Sequence, residues 1–163
     1  DANGAAVMFA EVAAYAKSVG TTVPDLLNEI YTEFGYYEER GKAIVMEGAE
    51  GAAKIQALAK SYSEQPPEEV DGVAVERVRD FAVQTIFDEE GDELPKESML
   101  MVELADGRSF AVRPSGTEPK IKFYLFGKSP AGGDPVQNKT MVATGLDALW
   151  KAIESDAQQR AGA

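Results

Sequence analysis

The sequence predicts an α+β fold: an antiparallel sheet of about four strands with helices packed on one face, preceded by a helical pair left from a truncated α/β domain. Three observations lead there. Apolar residues recur at helical spacing through the first 34 positions, and from Tyr36 the texture turns aromatic and β-branched. Beyond that point the order reads strand, helix, three or four strands, helix, with a hairpin signal at Asp106-Gly107. The expected division is therefore a helical remnant at 1–36 and an α+β domain at 37–163.

Each element has a local reason. Residues 4–19 carry Val7, Met8, Val12, Tyr15 and Val19 at helix spacing, and Gly20 supplies a stop. Thr22 before Pro24-Asp25 is a helix start: a hydroxyl cap, then proline and an acid in the first turn. Leu26, Leu27, Ile30, Tyr31 and Phe34 form the stripe of this second helix, and Gly35 closes it. Two helices joined by a tight turn need a further layer to cover them, and a chain that opens at Asp1 on the first helix looks like a truncated domain. Tyr37 to Met46 reads as a strand. Ala49 to Tyr62 reads as a helix with Ile55, Leu58, Ala59 and Tyr62 on one face, ended by Gln65-Pro66-Pro67.

Val70 to Val83 alternates as a strand, with a turn at Asp71-Gly72. Thr85 to Lys96 is acidic, contains Gly91 and Pro95, and reads as an exposed excursion. Met99–Leu104 and Phe110–Val112 flank the Asp106-Gly107 turn, and Ile121–Phe126 is a further strand. Ser129 to Pro135 is a Gly/Pro linker. Val136 to Ala157 finishes the chain as a helix with Met141, Leu146, Leu149, Trp150 and Ile153 facing inward. Trp150 and the Tyr15/Tyr31 pair have apolar neighbours at helical spacing and are read as core. Phe123, Tyr124 and Phe126 are read as anchors of their strand.

Composition narrows the chemistry. The chain has 163 residues, 44% hydrophobic and 27% charged, which suits one domain or one plus part of a second. No apolar run approaches the roughly 20 residues that span a bilayer. Asp1-Ala2-Asn3-Gly4 lacks the basic and apolar regions of a signal peptide, so none is expected there, and the lack of cysteine fits the cytoplasmic location expected. A net charge of −12 argues against nucleic acid as the main partner. Cysteine and histidine are both absent, which removes disulfides, thiolate chemistry, Ser–His pairs and the commonest metal ligand. A self-contained enzyme would have to work with carboxylates, lysines or tyrosines.

One segment stands out: Arg113-Pro114-Ser115-Gly116-Thr117-Glu118-Pro119-Lys120, between two apolar strands. Arg113 offers a planar fork of donors suited to two phosphate oxygens. Ser115 and Thr117 supply hydroxyls, and Gly116 lets a backbone N–H approach an anion closely. Pro114 and Pro119 restrict the loop, and Lys120 adds a charge at its lip. On chemistry alone two readings stand: an anion grip, or a polar β-turn whose cations pair with nearby acids.

The octapeptide, followed by Ile121-Lys122-Phe123-Tyr124, closely resembles the signature of the last domain of the α-D-phosphohexomutases, the family of phosphoglucomutases and phosphomannomutases. Asp1-Ala2-Asn3-Gly4 and the two helices resemble the end of that family's third domain. Phe34-Gly35-Tyr36-Tyr37, Glu47-Gly48-Ala49-Glu50-Gly51 and Gln65-Pro66-Pro67 look most like its phosphoglucomutase and phosphopentomutase branch. The resemblance implies a four-domain enzyme in which a phosphoserine of the first domain exchanges its phosphoryl group with a sugar phosphate, for example glucose 1-phosphate to glucose 6-phosphate. Magnesium would sit in the second domain and a sugar-reading loop in the third. Residues 37–163 would be the phosphate-binding fourth domain that closes the cleft.

Carried onto this chain, the resemblance implies a substrate-phosphate grip of Arg113, Ser115, Gly116, Thr117 and Lys120, with no catalytic residue and no metal ligand. Its partners would be a phosphosugar and the remaining domains of the parent enzyme, with no membrane. No serine in the family's catalytic-loop context and no Asp-Gly-Asp-Gly-Asp metal motif is present, so the chain alone would be inactive. The acids Asp88, Glu89, Glu90, Asp92 and Glu93 look like a surface loop and not a ligand cage. Glu38-Glu39 and Glu68-Glu69 read as solvated faces. Two other readings are a free-standing adaptor or regulatory protein that keeps the fold, and an intact small enzyme; absence of the nucleophile argues against the latter.

Overall fold

The computed structural model describes residues 2–48 and 50–162 and has the expected α+β character. Its elements are α1 (Ala2–Ser18), α2 (Val23–Phe34), β1 (Tyr37–Val45), α3 (Gly51–Glu64), β2 (Glu69–Val70), β3 (Val73–Asp80), β4 (Leu100–Leu104), β5 (Ser109–Pro114), β6 (Lys120–Lys128) and α4 (Pro135–Gly162). The chain divides into two compact units. One runs through Tyr37 and takes in Ser129–Met141; the other comprises Glu38–Lys128 and the chain from Val142 onward.

In the first unit, α2 begins as the sequence predicts. The Thr22 hydroxyl accepts the Asp25 N–H at 3.3 Å, and Asp25 Oδ2 accepts the Thr22 N–H at 3.3 Å, a capping box. The stripe expected on α1 is present, but Val7, Met8, Val12, Tyr15 and Val19 are exposed, and Ala16 is the residue of α1 that is buried. The Tyr15/Tyr31 pair does not form a core: Tyr15 is exposed, while Tyr31 packs edge-on against Tyr36 at 4.8 Å between ring centres. The Gly/Pro linker is held in place. The Ser129 N–H donates to Tyr36 O at 2.8 Å, the Tyr36 N–H to Ser129 Oγ at 2.9 Å, and the Gly132 N–H to Thr32 O at 2.7 Å.

The second unit is a sheet covered by helices. Its strand order is β1-β6-β5-β4-β3-β2, and the pairings from β2 through β6 are antiparallel. The strands number six instead of about four. Asp71 and Gly72 both have positive φ and fold Glu69–Val70 back onto Val73–Ala74, so one predicted strand becomes a short hairpin, and β1 joins beside β6. Ala49, the predicted first residue of the next helix, lies outside the described residues, as does Asp1. Thr85–Lys96 is the excursion expected, with one isolated bridge between Phe87 and Glu93.

Strand alternation sorts the sheet into two faces. Val102, Phe110, Val112, Ile121, Phe123 and Leu125 are almost fully buried and form one of them. Phe123 meets Tyr62 of α3 at 6.0 Å and Trp150 of α4 at 5.7 Å, so both helices lie on this face. Burying side chains of this size contributes about 1.5–3 kcal/mol each. The inward residues of α4 here are Val142, Leu146, Leu149, Ile153 and Ala157; Met141, expected inward, is exposed, and Val142 takes the position one step round the helix. At Gly127 β6 passes close against α4: a Cβ there would lie 2.9 Å from Val142 and 3.1 Å from Leu146. Among the described residues, no helix is long and apolar enough to cross a membrane.

Candidate anion-binding loop

The candidate segment forms the tip of the β5–β6 hairpin. Registry across it is strict: Val112 faces Phe123, Arg113 faces Lys122 and Pro114 faces Ile121. The Ser115 N–H donates to Lys120 O at 2.9 Å and closes the loop; the Lys120 N–H donates to Glu118 O at 2.7 Å. Inside it, the Glu118 N–H donates to Ser115 Oγ at 3.3 Å. Outside it, the Met46 N–H donates to Pro119 O at 3.0 Å, which ties the tip to the end of β1.

Ser115 to Pro119 form one wall of a groove of about 300 Å³, and Gly48, Ala52, Ile55 and Gln56 form the other. The second wall is the chain entering α3 and that helix's first turns, where the partial positive charge of a helix N-terminus is concentrated. Among the described residues, the Gly116 and Thr117 N–H groups and the Thr117 hydroxyl make no hydrogen bond to protein. These donors are therefore free on a loop whose own backbone is otherwise pinned.

The structure brings Ser115, Gly116 and Thr117 together at the groove but not the two cations. Arg113 is out of phase with the buried Phe110 and Val112, so it projects from the helix-free face beside Lys122. Its Nη2 lies 2.5 Å from Glu97 Oε1, with side-chain exposures of 48% and 43%. Lys120 Nζ lies 2.6 Å from Glu118 Oε2. The hydrogen bond from Lys120, its Coulomb attraction and a lesser one from Lys122 hold the Glu118 carboxyl below the usual carboxylate range. Both readings of the segment have a physical counterpart: the cations pair with acids, and the loop keeps open donors.

Sequence reasoning missed two parts of this arrangement. Glu97 is far from the octapeptide and has no local signal; it reaches Arg113 because β4 runs beside β5. The first turn of α3 opposite the loop was legible as a helix start, but nothing local shows what that start would face. Among the described residues, no group of three or more carboxylates is placed to hold a metal ion. Asp88 accepts the Asp92 N–H at 2.8 Å and so organises its own turn.

Comparison with known proteins identifies the family. A family model described as the phosphoglucomutase/phosphomannomutase C-terminal domain matches residues 42–140. The chain belongs to this family. That region contains the whole hairpin and its loop. A phosphoglucomutase of Staphylococcus aureus (strain bovine RF122 / ET3-1) is 35% identical over 126 residues, covering 74% of this chain and 23% of the relative. Another, from strain N315, is 33% identical over 125 residues with the same coverage. A crystal structure of the exocytosis-sensitive phosphoprotein pp63/parafusin, a phosphoglucomutase from Paramecium in an open form, matches with a TM-score of 0.44 and 18% identity, covering 87% of this chain and 24% of that one. The phosphohexomutase domain thus spans less than a quarter of the length of these relatives.

Proposed function

We propose that this domain grips the phosphate of a phosphosugar for a phosphohexomutase, with Arg113, Ser115, Gly116, Thr117 and Lys120 as the binding residues. The observation that carries the reading is the free set of donors at Gly116 and Thr117, held on a pinned loop opposite the start of α3. An anion entering there meets N–H groups on a loop already closed by its own hydrogen bonds, so little ordering is required on binding. Arg113 and Lys120 lie outside this groove, ion-paired with Glu97 and Glu118, and join only by leaving those carboxylates and turning their side chains toward the loop. Ion pairs that are partly open to solvent contribute little to stability, so the exchange is accessible.

The grip makes and breaks no bonds. Holding a remote phosphate keeps the reacting oxygen of the sugar in line with its phosphoryl donor, and binding energy spent in this way lowers the barrier elsewhere. The phosphoryl donor, the magnesium site and the sugar-reading groups would belong to the remaining domains of the parent enzyme, acting on glucose 1-phosphate or a related phosphosugar in the cytoplasm. No step of the grip is routed through a metal ion.

A titration of the ¹⁵N-labelled protein with glucose 1-phosphate tests the proposal. The Gly116 and Thr117 amide signals are expected to move in a saturable way, with weak affinity because one subsite acts alone. Shifts confined to residues away from the hairpin tip overturn it.

A further inference from the structure

Granted the anion grip proposed above, we propose that Glu97 and Glu118 are specificity-determining residues of the loop, carboxylates that a dianion displaces and a monoanion does not. The two cations available to the grip are each already neutralised from within the chain. Arg113 Nη2 sits 2.5 Å from Glu97 Oε1, and Lys120 Nζ sits 2.6 Å from Glu118 Oε2. Both acids are fixed by backbone. The Glu97 N–H donates to Phe81 O at 3.2 Å, and Glu118 is bonded through its N–H to Ser115 and through its carbonyl to Lys120.

The displaced carboxylates stay tethered nearby, so selection rests on how strongly the ligand competes for the two cations. A dianion has two charges and can hold Arg113 and Lys120 together. A monoanion can satisfy one of them and leaves the other cation uncompensated if both carboxylates are displaced. That cation would add to an existing imbalance, because Lys122 stands directly across the strand pair from Arg113 and has no ion pair among the described residues. Like charges directly opposite one another on a sheet repel. The Glu118 carboxyl, held low by Lys120 first and least by Lys122, stays ionised at neutral pH and remains a competitor there. A monoanion can thus take the place of one carboxylate at most and meets the other still bound.

Methyl phosphate and methyl sulfate have nearly the same shape but differ by one charge at about pH 8, well above the second phosphate pKa near 6. Each is titrated at constant ionic strength into the parent protein, Glu97→Gln, Glu118→Gln and the double variant, reading the Gly116 and Thr117 amides. Methyl phosphate is expected to bind the parent and methyl sulfate to bind far more weakly. Each single variant should tighten methyl phosphate about threefold to tenfold, and the double variant should narrow the ratio between the two ligands. Unchanged or weaker phosphate binding by both variants, or equal binding of the two ligands by the parent, overturns the inference and leaves the grip standing. No response at these amides in any of the four proteins overturns the grip itself. Glu118 is exposed and Glu97 half-buried, so the variants are expected to fold; an unchanged melting temperature confirms it for each.

Discussion

Gly51 offers a sharp test of how the loop is held. It opens α3, and a Cβ built on it would lie 1.7 Å from Met46 O and 2.6 Å from Met46 C. Both are backbone atoms, so no side-chain rotation relieves the clash. Two effects compete in Gly51→Ala. Alanine in place of glycine favours a helix by up to about 1 kcal/mol. Overpacking costs about 1–3 kcal/mol, and a clash with backbone belongs at the upper end or beyond it. The expected net loss is therefore about 2 kcal/mol or more, which for a chain of this size lowers the melting temperature by about 2–4 °C per kcal/mol. The displacement also has a direction: Met46 is bonded to Pro119 O, so moving it disturbs the loop and should weaken phosphosugar binding.

The assay is urea denaturation followed by circular dichroism, with Gly116→Ala as the matched control. A Cβ at Gly116 meets nothing within 4 Å, so this variant should keep its stability while obstructing close approach of an anion. A Gly51→Ala protein as stable as its parent refutes the packing reasoning.

Arg113→Ala should weaken binding of the phosphosugar about tenfold to a hundredfold, since hydrogen bonds to charged groups are worth about 1.5–3 kcal/mol. Its melting temperature should hardly move, because the Glu97 pair is half exposed; calorimetry beside a binding titration reads both. Asp80 is buried, accepts the Ala82 N–H at 2.9 Å and receives the Ser63 hydroxyl, so Asp80→Ala should cost about 1–3 kcal/mol in urea denaturation. Tyr62 is buried and its hydroxyl makes no hydrogen bond of ordinary geometry. Burial first, then the neighbouring Asp156 carboxylate, raises its pKa far above the usual phenol value. The stability this reflects is fully present below about pH 10 and falls by about 1.4 kcal/mol per pH unit above it, since the unfolded chain releases the proton first. Stability measured from pH 9 to 11 should show a shallower fall in Tyr62→Phe than in the parent.

Local sequence decided everything that depends on a short stretch of backbone. The Thr22–Asp25 box, the glycine closing α2, the Asp106-Gly107 turn and the 3.6-residue stripes were legible because each needs only neighbouring residues. The octapeptide was legible as a unit for the same reason, and the family followed from it. Tertiary structure decided which partners those pieces meet. Period-2 alternation shows that Val112 and Arg113 point opposite ways, but only the packing of α3 and α4 on one face sends Arg113 to the other. Glu97 reaches Arg113, and the start of α3 reaches the loop, through strand pairings that no local pattern encodes. The same limit explains Met141 and the α1 stripe: periodicity identifies an apolar face, whereas burial requires a neighbour, and neighbours are set by long-range pairing whose cost is loop closure and whose gain is the apolar area covered.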